Sequence, residues 1–318
     1  MARVTIIIPN YNGKQLLENC IRTLERQTCR DFHLLIVDNG STDGSGAVTS
    51  ETLDIEWIFL KKNTGFCGAV NVGIARTKTP YFLLLNNDTE AEEHFVAEML
   101  AGIEKSERIF SCSAQMLDYR DRELIDNAGD YYTVFGWALA RGKGRMAARY
   151  GQEAEVFSAC GGAAIYRTEA VGRIGRFDER HFAYLEDVDM GYRARIYGYR
   201  NRYLPDAKVY HVGSATTGAR YNEKKVFLAA RNSVYLAYKN MPPVQLLFNL
   251  PFLAAGVGIK ALFFLRKGFA GEYLRGIRCG IVGAGRCERV RFRRCNLPHY
   301  VRIQLELWAN CVKVLLKR

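Results

Sequence analysis

Two acidic clusters stand out in this chain, about a hundred residues apart, each in surroundings that suit chemistry. The first, Asn86-Asn87-Asp88, ends the apolar run Tyr81-Phe82-Leu83-Leu84-Leu85. A carboxylate just past the carboxyl end of a buried strand sits where open α/β sheets bind ligands. The second is Glu186-Asp187-Val188-Asp189, running into Met190-Gly191-Tyr192-Arg193. A carboxylate facing the first would supply the base that a group-transfer reaction needs. One site for a metal-bound diphosphate and one for activating a nucleophile would together make a transferase.

Each cluster also has a purely structural reading. A divalent cation, Mg²⁺ or Mn²⁺, favours oxygen ligands from one or two carboxylates, phosphates and water. Asp88 is the carboxylate to supply one, and Asn86 adds only a neutral oxygen. Alternatively, Asp88 and Thr89 cap the helix that follows. Asp187 could equally cap its own helix, with Asp189 pairing to Arg193 four residues on. Acids in a first helical turn are stabilised by the helix dipole without any catalytic duty.

The elements needed to position these groups are legible in the first half of the chain. Strands are expected at 3–8, 32–37, 56–60, 81–85 and 109–115, with helices at 14–26, 68–75 and 92–105 between them. Near-continuous apolar strands alternating with helices argue for a mostly parallel sheet covered on both faces. Residues 117–155 read as a hairpin or mobile loop, and 157–166 as a strand broken by Gly161-Gly162. Helices follow near 169–174 and 187–197, and a strand over 203–212 closes the domain. Met241-Pro242-Pro243 then breaks the chain.

Three further segments fall at strand ends. Pro9-Asn10-Tyr11-Asn12 places Tyr11 in the ligand crevice, and Asp38-Asn39-Gly40-Ser41-Thr42-Asp43-Gly44 places an acid at the tip of the second strand. An acid there can accept hydrogen bonds from a base or sugar, although the same residue types also build ordinary turns. Asn63-Thr64-Gly65-Phe66-Cys67-Gly68 leads into a helix whose exposed N–H groups could receive phosphate. It matches neither dinucleotide nor P-loop spacing, so a close-packed helix cap is the competing reading.

In order, Pro9-x-Tyr11-Asn12, Val37-Asp38-Asn39-x-Ser41-x-Asp43-Gly44, Asn63-x-Gly65-Phe66, Asn86-Asn87-Asp88, Phe177-Asp178-Glu179 and Glu186-Asp187-Val188-Asp189 resemble the family-2 inverting glycosyltransferases of the GT-A fold. The bacterial rhamnosyltransferase-like branch is the nearest likeness, over residues 1–240. The resemblance implies an α/β fold with a Rossmann-like, mostly parallel mixed sheet flanked by helices. It implies that Tyr11 and Asp38 hold the nucleotide base, that Pro9 shapes the pocket, and that Asn63, Gly65, Asn71, Asn87 and Gly162 complete the nucleotide-sugar site. Asp88 takes the place of the last acid of the family's metal motif, whose first acid is here Asn86. His211 matches a metal ligand of some relatives, and a structural hydrogen bonder is its alternative. Asp187 matches the general base, with Glu186 beside it. Arg220 and Arg231 follow these motifs as candidate phosphate contacts, with ordinary surface pairing as the alternative, and the loop 137–149 is a candidate cover for the donor.

Composition sets the outer limits. The 318 residues suffice for one large α/β domain and a smaller appendage, taken as 1–240 and 241–318. The net charge of +12 is concentrated: ten Lys/Arg stand against two acids between Arg266 and Arg302. Such a block suits an anionic partner, and no helix-turn-helix or RNA-binding aromatic motif supports nucleic acid. The apolar segment 244–265 is long enough to span a membrane, but its Lys and Pro/Gly content and basic flanks favour lying on an anionic leaflet over spanning it or being a core helix. Nine cysteines without a CxxC pair suit free thiols in a reducing compartment, and with a strand from Val4 and no long apolar stretch suited to a signal peptide, secretion by that route is not expected. The expectation is a cytoplasmic enzyme, peripheral at the inner membrane face. It would move a sugar, rhamnose favoured, from dTDP-rhamnose or a UDP-hexose to a saccharide or lipid-linked acceptor. The alternative is a non-catalytic nucleotide-sugar-binding subunit.

Overall fold

The structure is a computed structural model describing residues 2–213 and 221–316. Four parallel strands form one half of the central sheet: β1 (Val4–Asn10), β2 (Phe32–Asp38), β3 (Ile55–Phe59) and β4 (Tyr81–Leu85). Their spatial order is β4-β1-β2-β3. The chain leaves β1 toward β2 and β3, then returns to place β4 on the opposite side. That reversal opens a crevice at the carboxyl ends of β1 and β4, the position expected for a ligand.

The other half is mixed. Beyond β4 come antiparallel β11 (Ala163–Arg167), then β6 (Ile109–Asp118), β12 (Arg200–His211) and β10 (Ala154–Val156). Two short strands, β5 (Thr89–Ala91) and β7 (Ile125–Asn127), pair with β12 and β6. A separate hairpin joins β8 (Asp130–Tyr132) to β9 (Ala138–Ala140). The expected mixed α/β sheet is therefore present, with two differences. The strand foreseen at 157–166 begins only at Ala163, so Gly161-Gly162 lead into it rather than interrupt it. Of the two readings of 117–155 the hairpin is present, as β8–β9, and the region is not a loose loop. It holds four three-residue strands, too short to show an alternating pattern in sequence.

Burial on both sheet faces explains the apolar strands. Ile6, Ile8, Leu34, Ile36, Leu83 and Leu85 pack on α1 (Lys14–Leu24) and α3 (Phe95–Glu104). Ile7, Leu35, Val37, Phe82 and Leu84 face the other way, onto α2 (Gly65–Arg76), α4 (Thr168–Ile174) and α5 (Glu186–Ile196). Successive residues point to opposite faces, so a strand covered twice must be apolar throughout. In α1 the buried set is Leu17, Cys20, Ile21 and Leu24, a single stripe at helical spacing.

The C-terminal segment forms α6 (Glu223–Asn240), α7 (Pro243–Arg266), α8 (Ala270–Ala284) and α9 (Leu297–Leu316). It shares a core with the sheet domain: Tyr300, Ile303 and Leu307 of α9 and Met241 pack with Tyr132, Phe157, Val188 and Tyr192. Glu306 of α9 also pairs with buried Arg195 of α5 at 2.7 Å.

Candidate active site

The carboxyl ends of β1, β2 and β4 are tied together by side-chain amides. Asn10 donates from Nδ2 to Asp38 Oδ1 (3.1 Å), and Asn87 donates to Asn10 Oδ1 (2.7 Å). The second oxygen of Asp38 accepts from the Ser41 N–H at 3.0 Å. Asn12, at a φ of +49°, accepts from the Thr42 N–H and so joins the β1 and β2 loops. Asp38 and Asn87 are thus buried supports of the crevice floor, while Tyr11 stands 38% exposed at its rim and Pro9 is half-buried beside it.

The next loop is built the same way. Asn63 Oδ1 accepts from the Gly65 N–H at 2.8 Å and from Asn39 Nδ2 at 3.2 Å. Gly65 has a φ of +79°, and a Cβ there would lie 2.5 Å from the Phe182 carbonyl oxygen, so only glycine fits. The same carbonyl accepts from the Cys67 N–H at 3.2 Å. The N-terminus of α2 is therefore covered by Phe182, not exposed to receive phosphate. Asn71 is likewise occupied: its amide donates to the Phe177 carbonyl and Glu179 Oε1 and accepts from the Phe177 N–H.

The two acidic clusters meet through Gly161-Gly162. The Asn86 N–H donates to the Gly162 carbonyl at 2.8 Å, and the Gly161 N–H donates to Asp187 Oδ2 at 3.0 Å. Segments about a hundred residues apart in sequence are thereby separated by a two-residue bridge. On one side, the half-buried Asn86 precedes Asp88, whose Oδ1 lies 3.3 Å from His211 Nε2. His211 Nδ1 in turn contacts Asp126 Oδ2 at 2.9 Å. Burial pushes the imidazole pKa down, but the hydrogen bonds to Asp126 and Asp88 outweigh it and raise the value to about 9. Asp126 is held down to about 2: burial is outweighed by His211 and then by Lys143.

On the other side, Asp187 accepts from the Gly161 N–H and, at 2.8 Å, from its neighbour Val188. Ligand atoms of Asp187, Asp130 and Cys160 lie within 4.8 Å of one another, and Glu186 is buried with Oε2 unpartnered. Burial raises all three carboxyls, and Asp187 raises Glu186 and Asp130 further. Asp187 alone of the three accepts two backbone N–H bonds, which favour its anion. These two donors work against the upward push that burial gives the Asp187 carboxyl.

The segment before Asp187 is strained. Phe182, Tyr184 and Leu185 all have φ between +62° and +74°, a cost of roughly 1–3 kcal/mol each for side-chain-bearing residues. α6 holds them in place. Buried Asn232 donates to the carbonyls of His181, Ala183 and Tyr184 at 2.8–2.9 Å, and Arg231 donates to those of Arg180 and His181. Arg231, expected as a phosphate contact, is instead part of this clamp. Arg220 lies outside the described residues. The loop 137–149 is not a free cover either: Trp137 Nε1 donates to the Gly256 carbonyl, Arg141 stacks on Tyr150 and Tyr203, and Lys143 pairs with Asp126.

Sequence reasoning passed over Asp126, Asp130 and Asn232. The first two flank Gly129, which has a φ of +87°, in Asp126-Asn127-Ala128-Gly129-Asp130. Acids spaced around a turn glycine were the available signal. Asn232, inside a helix, carried none.

The model of the family described as Glycosyl transferase family 2 matches residues 5–175. Among curated proteins, the chain is 26% identical over 263 residues to the N-acetylglucosaminyl-diphospho-decaprenol L-rhamnosyltransferase of Mycobacterium tuberculosis, covering 72% of this chain and 84% of the relative. It is 33% identical over 101 residues to the teichoic acid poly(glycerol phosphate) polymerase of Staphylococcus epidermidis, which spans 30% of this chain and only 14% of that protein. Among solved structures, GalNAc-T7 with UDP, GalNAc and Mn²⁺ superposes with a TM-score of 0.61 at 14% identity, over 75% of this chain and 48% of that one. The fold is thus that of the GT-A glycosyltransferases, with a helical C-terminal region added. With more than half its length matched by the family model, the chain is a member of glycosyltransferase family 2.

Proposed function

We propose that the protein is an inverting glycosyltransferase that moves a sugar, rhamnose favoured, from a nucleoside diphosphate-sugar to a lipid-linked saccharide in cell-surface polysaccharide synthesis. The observation that carries the reading is the Gly161-Gly162 bridge, which sets Asp187 beside the Asn86–Asp88 segment. The 26% identity to the rhamnosyltransferase supports the sugar and the lipid-linked acceptor, and leaves dTDP-rhamnose and UDP-hexoses as the donors to compare.

In this reading the donor lies across the strand ends, its base against Tyr11 and its diphosphate toward Asp88. Asp187 takes the proton of an acceptor hydroxyl. The hydroxyl oxygen bonds to the anomeric carbon from the face opposite the diphosphate, and the bond from that carbon to the diphosphate oxygen breaks with its electron pair leaving on phosphate. Configuration inverts in one displacement. Glu186 and Asp130 stand beside Asp187 as further buried carboxyls, and the Gly161 and Val188 N–H groups favour the Asp187 anion. Asn232 and Arg231 fix the loop from which Asp187 projects.

Asp88 and His211, with the neutral oxygen of Asn86, would hold Mg²⁺ or Mn²⁺. The donor set fits: a carboxylate and an imidazole face each other, and Asp126 orients the second imidazole nitrogen as such ligands require. A bound cation would supply charge neutralisation for the departing diphosphate.

We also place residues 241–318 against the membrane. On α7, Val244 (82%), Leu247 (72%), Leu262 (63%) and Leu265 (64%) are exposed at helical spacing, and on α9 Leu305 and Leu316 continue the apolar surface. The neighbouring arginines suit an anionic leaflet and support a peripheral position at the cytoplasmic membrane face. The full chain should float with phosphatidylglycerol vesicles and not with phosphatidylcholine ones; equal binding to neither would remove this placement.

A thermal-shift panel of nucleoside diphosphates with and without Mn²⁺ tests the donor site. A ligand held at 100 times its Kd stabilises by about 2.7 kcal/mol. Metal-dependent stabilisation by thymidine or uridine diphosphate, lost in Asp88→Ala, is expected. No response to any of them would point to a subunit that binds no donor.

A further inference from the structure

A cavity of about 580 Å³ lies between α6, α7 and α8, closed on one side by the turn of the β8–β9 hairpin. That volume is typical of a site for a small organic ligand. Its walls are mostly apolar, including Leu246, Leu253, Val257 and Ile277. Leu250 and Ile281 also line it and are 54% and 64% exposed, so the cavity is continuous with the outward apolar surface of α7 and α8.

One charge enters these walls. Lys260 of α7 lines the cavity with its ammonium 6.0 Å from the centre of the Trp137 ring, and among the described residues it has no carboxylate partner. Burial pulls its pKa down to about 8. An ammonium set among apolar walls without an ion pair is stabilised by an anion that brings its own apolar cover. A second cavity, about 520 Å³ between the start of α7 and α9, has apolar walls and no charged residue, so nothing there selects an occupant.

The charged cavity is also wired to the acid cluster. The hairpin that supplies Asp130 beside Asp187 supplies Gly136 and Trp137 to the cavity, and Trp137 Nε1 is fixed to the Gly256 carbonyl at 3.2 Å. From Asp130 to Gly136 the chain can extend at most about 20 Å. A molecule with its tail in the cavity can therefore present its head near Asp187.

We propose that this cavity binds the hydrocarbon chain of the phosphate-linked lipid that carries the acceptor saccharide, with Lys260 against its phosphate. The proposal rests on the transferase reading above and specifies how that site receives its acceptor. The chain enters past Leu250 and Ile281 from the membrane side, and the saccharide extends along the hairpin toward Asp187.

Geranylgeranyl phosphate, titrated calorimetrically into the full chain below its micelle threshold, is the probe. It should bind at least tenfold tighter than geranylgeraniol, and millimolar inorganic phosphate should not displace it. Lys260→Met should bring the ester down to the affinity of the alcohol. Ala254→Trp, which adds bulk to the cavity from an exposed position on α7, should abolish binding of both. Both variants should keep the wild-type melting temperature and its response to nucleoside diphosphate with Mn²⁺. Wild-type affinity in both variants would overturn the proposal. So would equal displacement by monomeric phosphatidylglycerol, which would assign the cavity to bulk lipid. A missing nucleoside diphosphate response in the wild type would instead overturn the transferase reading, a failure the lipid titration does not share.

Discussion

Asp187 and Asp189 lie two residues apart on α5, yet they belong to buried clusters of opposite character. Asp189 is fully buried and neutralised: Arg193 Nε and Lys239 Nζ lie 3.0 and 2.9 Å from Oδ2, and Asn240 donates to Oδ1 at 2.8 Å. Asp178 adds a second carboxylate on Lys239 at 3.1 Å. Against the upward push of burial, Arg193 and Lys239 hold the Asp189 carboxyl far below the usual range. Asp187 sits with Asp130, Glu186 and the Cys160 thiol, and no described cation pairs with any of them. There burial raises the carboxyls. The difference separates two settings of buried acid: one whose charge is matched and fixes packing, and one without a matching cation, which is the setting the proposed base requires.

The largest effect that would break this contrast is on stability. Asp189→Ala leaves two buried cations without their shared partner and should cost roughly 3–5 kcal/mol in denaturant unfolding. A cost below about 1 kcal/mol would mean the matched cluster is not structural. The next effect separates the Asp88–His211–Asp126 array from both. The His211 pKa is raised from 6.5 to about 9, so the folded state holds a proton that the unfolded chain releases. Its contribution is fully present below pH 6.5 and is lost as pH rises through about 9. In metal-free protein this amounts to roughly 3 kcal/mol, and His211→Gln should flatten that part of the stability–pH curve. Mn²⁺ should shift the same limb, because a bound cation competes with the proton. The smallest effect sharpens the role of the clamp. Asn232→Leu removes the amide shared by the His181, Ala183 and Tyr184 carbonyls and should cost about 1–3 kcal/mol. It should also lower kcat with little change in donor affinity, because the loop it frees leads directly into Asp187 at the start of α5.

Much of this was legible in the sequence, and the reasons differ by region. β1, β2 and β4 showed as apolar runs because both of their faces are covered. Asp88 and Asp187 showed because each follows a recognisable element boundary within an ordered motif set. The Asp189–Arg193 pair followed from helical spacing alone. What stayed hidden depends on tertiary contact. The strands between 125 and 156 are three residues each and take their register from β6, β12 and each other. Asp126 and Asp130 acquire their partners only when that hairpin folds onto His211 and Asp187. Arg231 carries the right charge for a phosphate, but α6 turns it toward the carbonyls of the strained loop. Nothing local in Asn63-Thr64-Gly65 reveals that Phe182 will cover the helix behind it.

The central claim is that Asp187 is the base of a glycosyl transfer performed at this site. Turnover of the nucleoside diphosphate-sugar identified by thermal shift, measured for wild type and Asp187→Asn alongside donor affinity, tests it most directly. The account predicts a loss of about 10²–10⁴-fold in kcat with donor affinity and melting temperature retained. It also predicts a wild-type rate that rises with pH through a value above the ordinary carboxylate range. Turnover of Asp187→Asn within a few-fold of wild type would contradict the assignment.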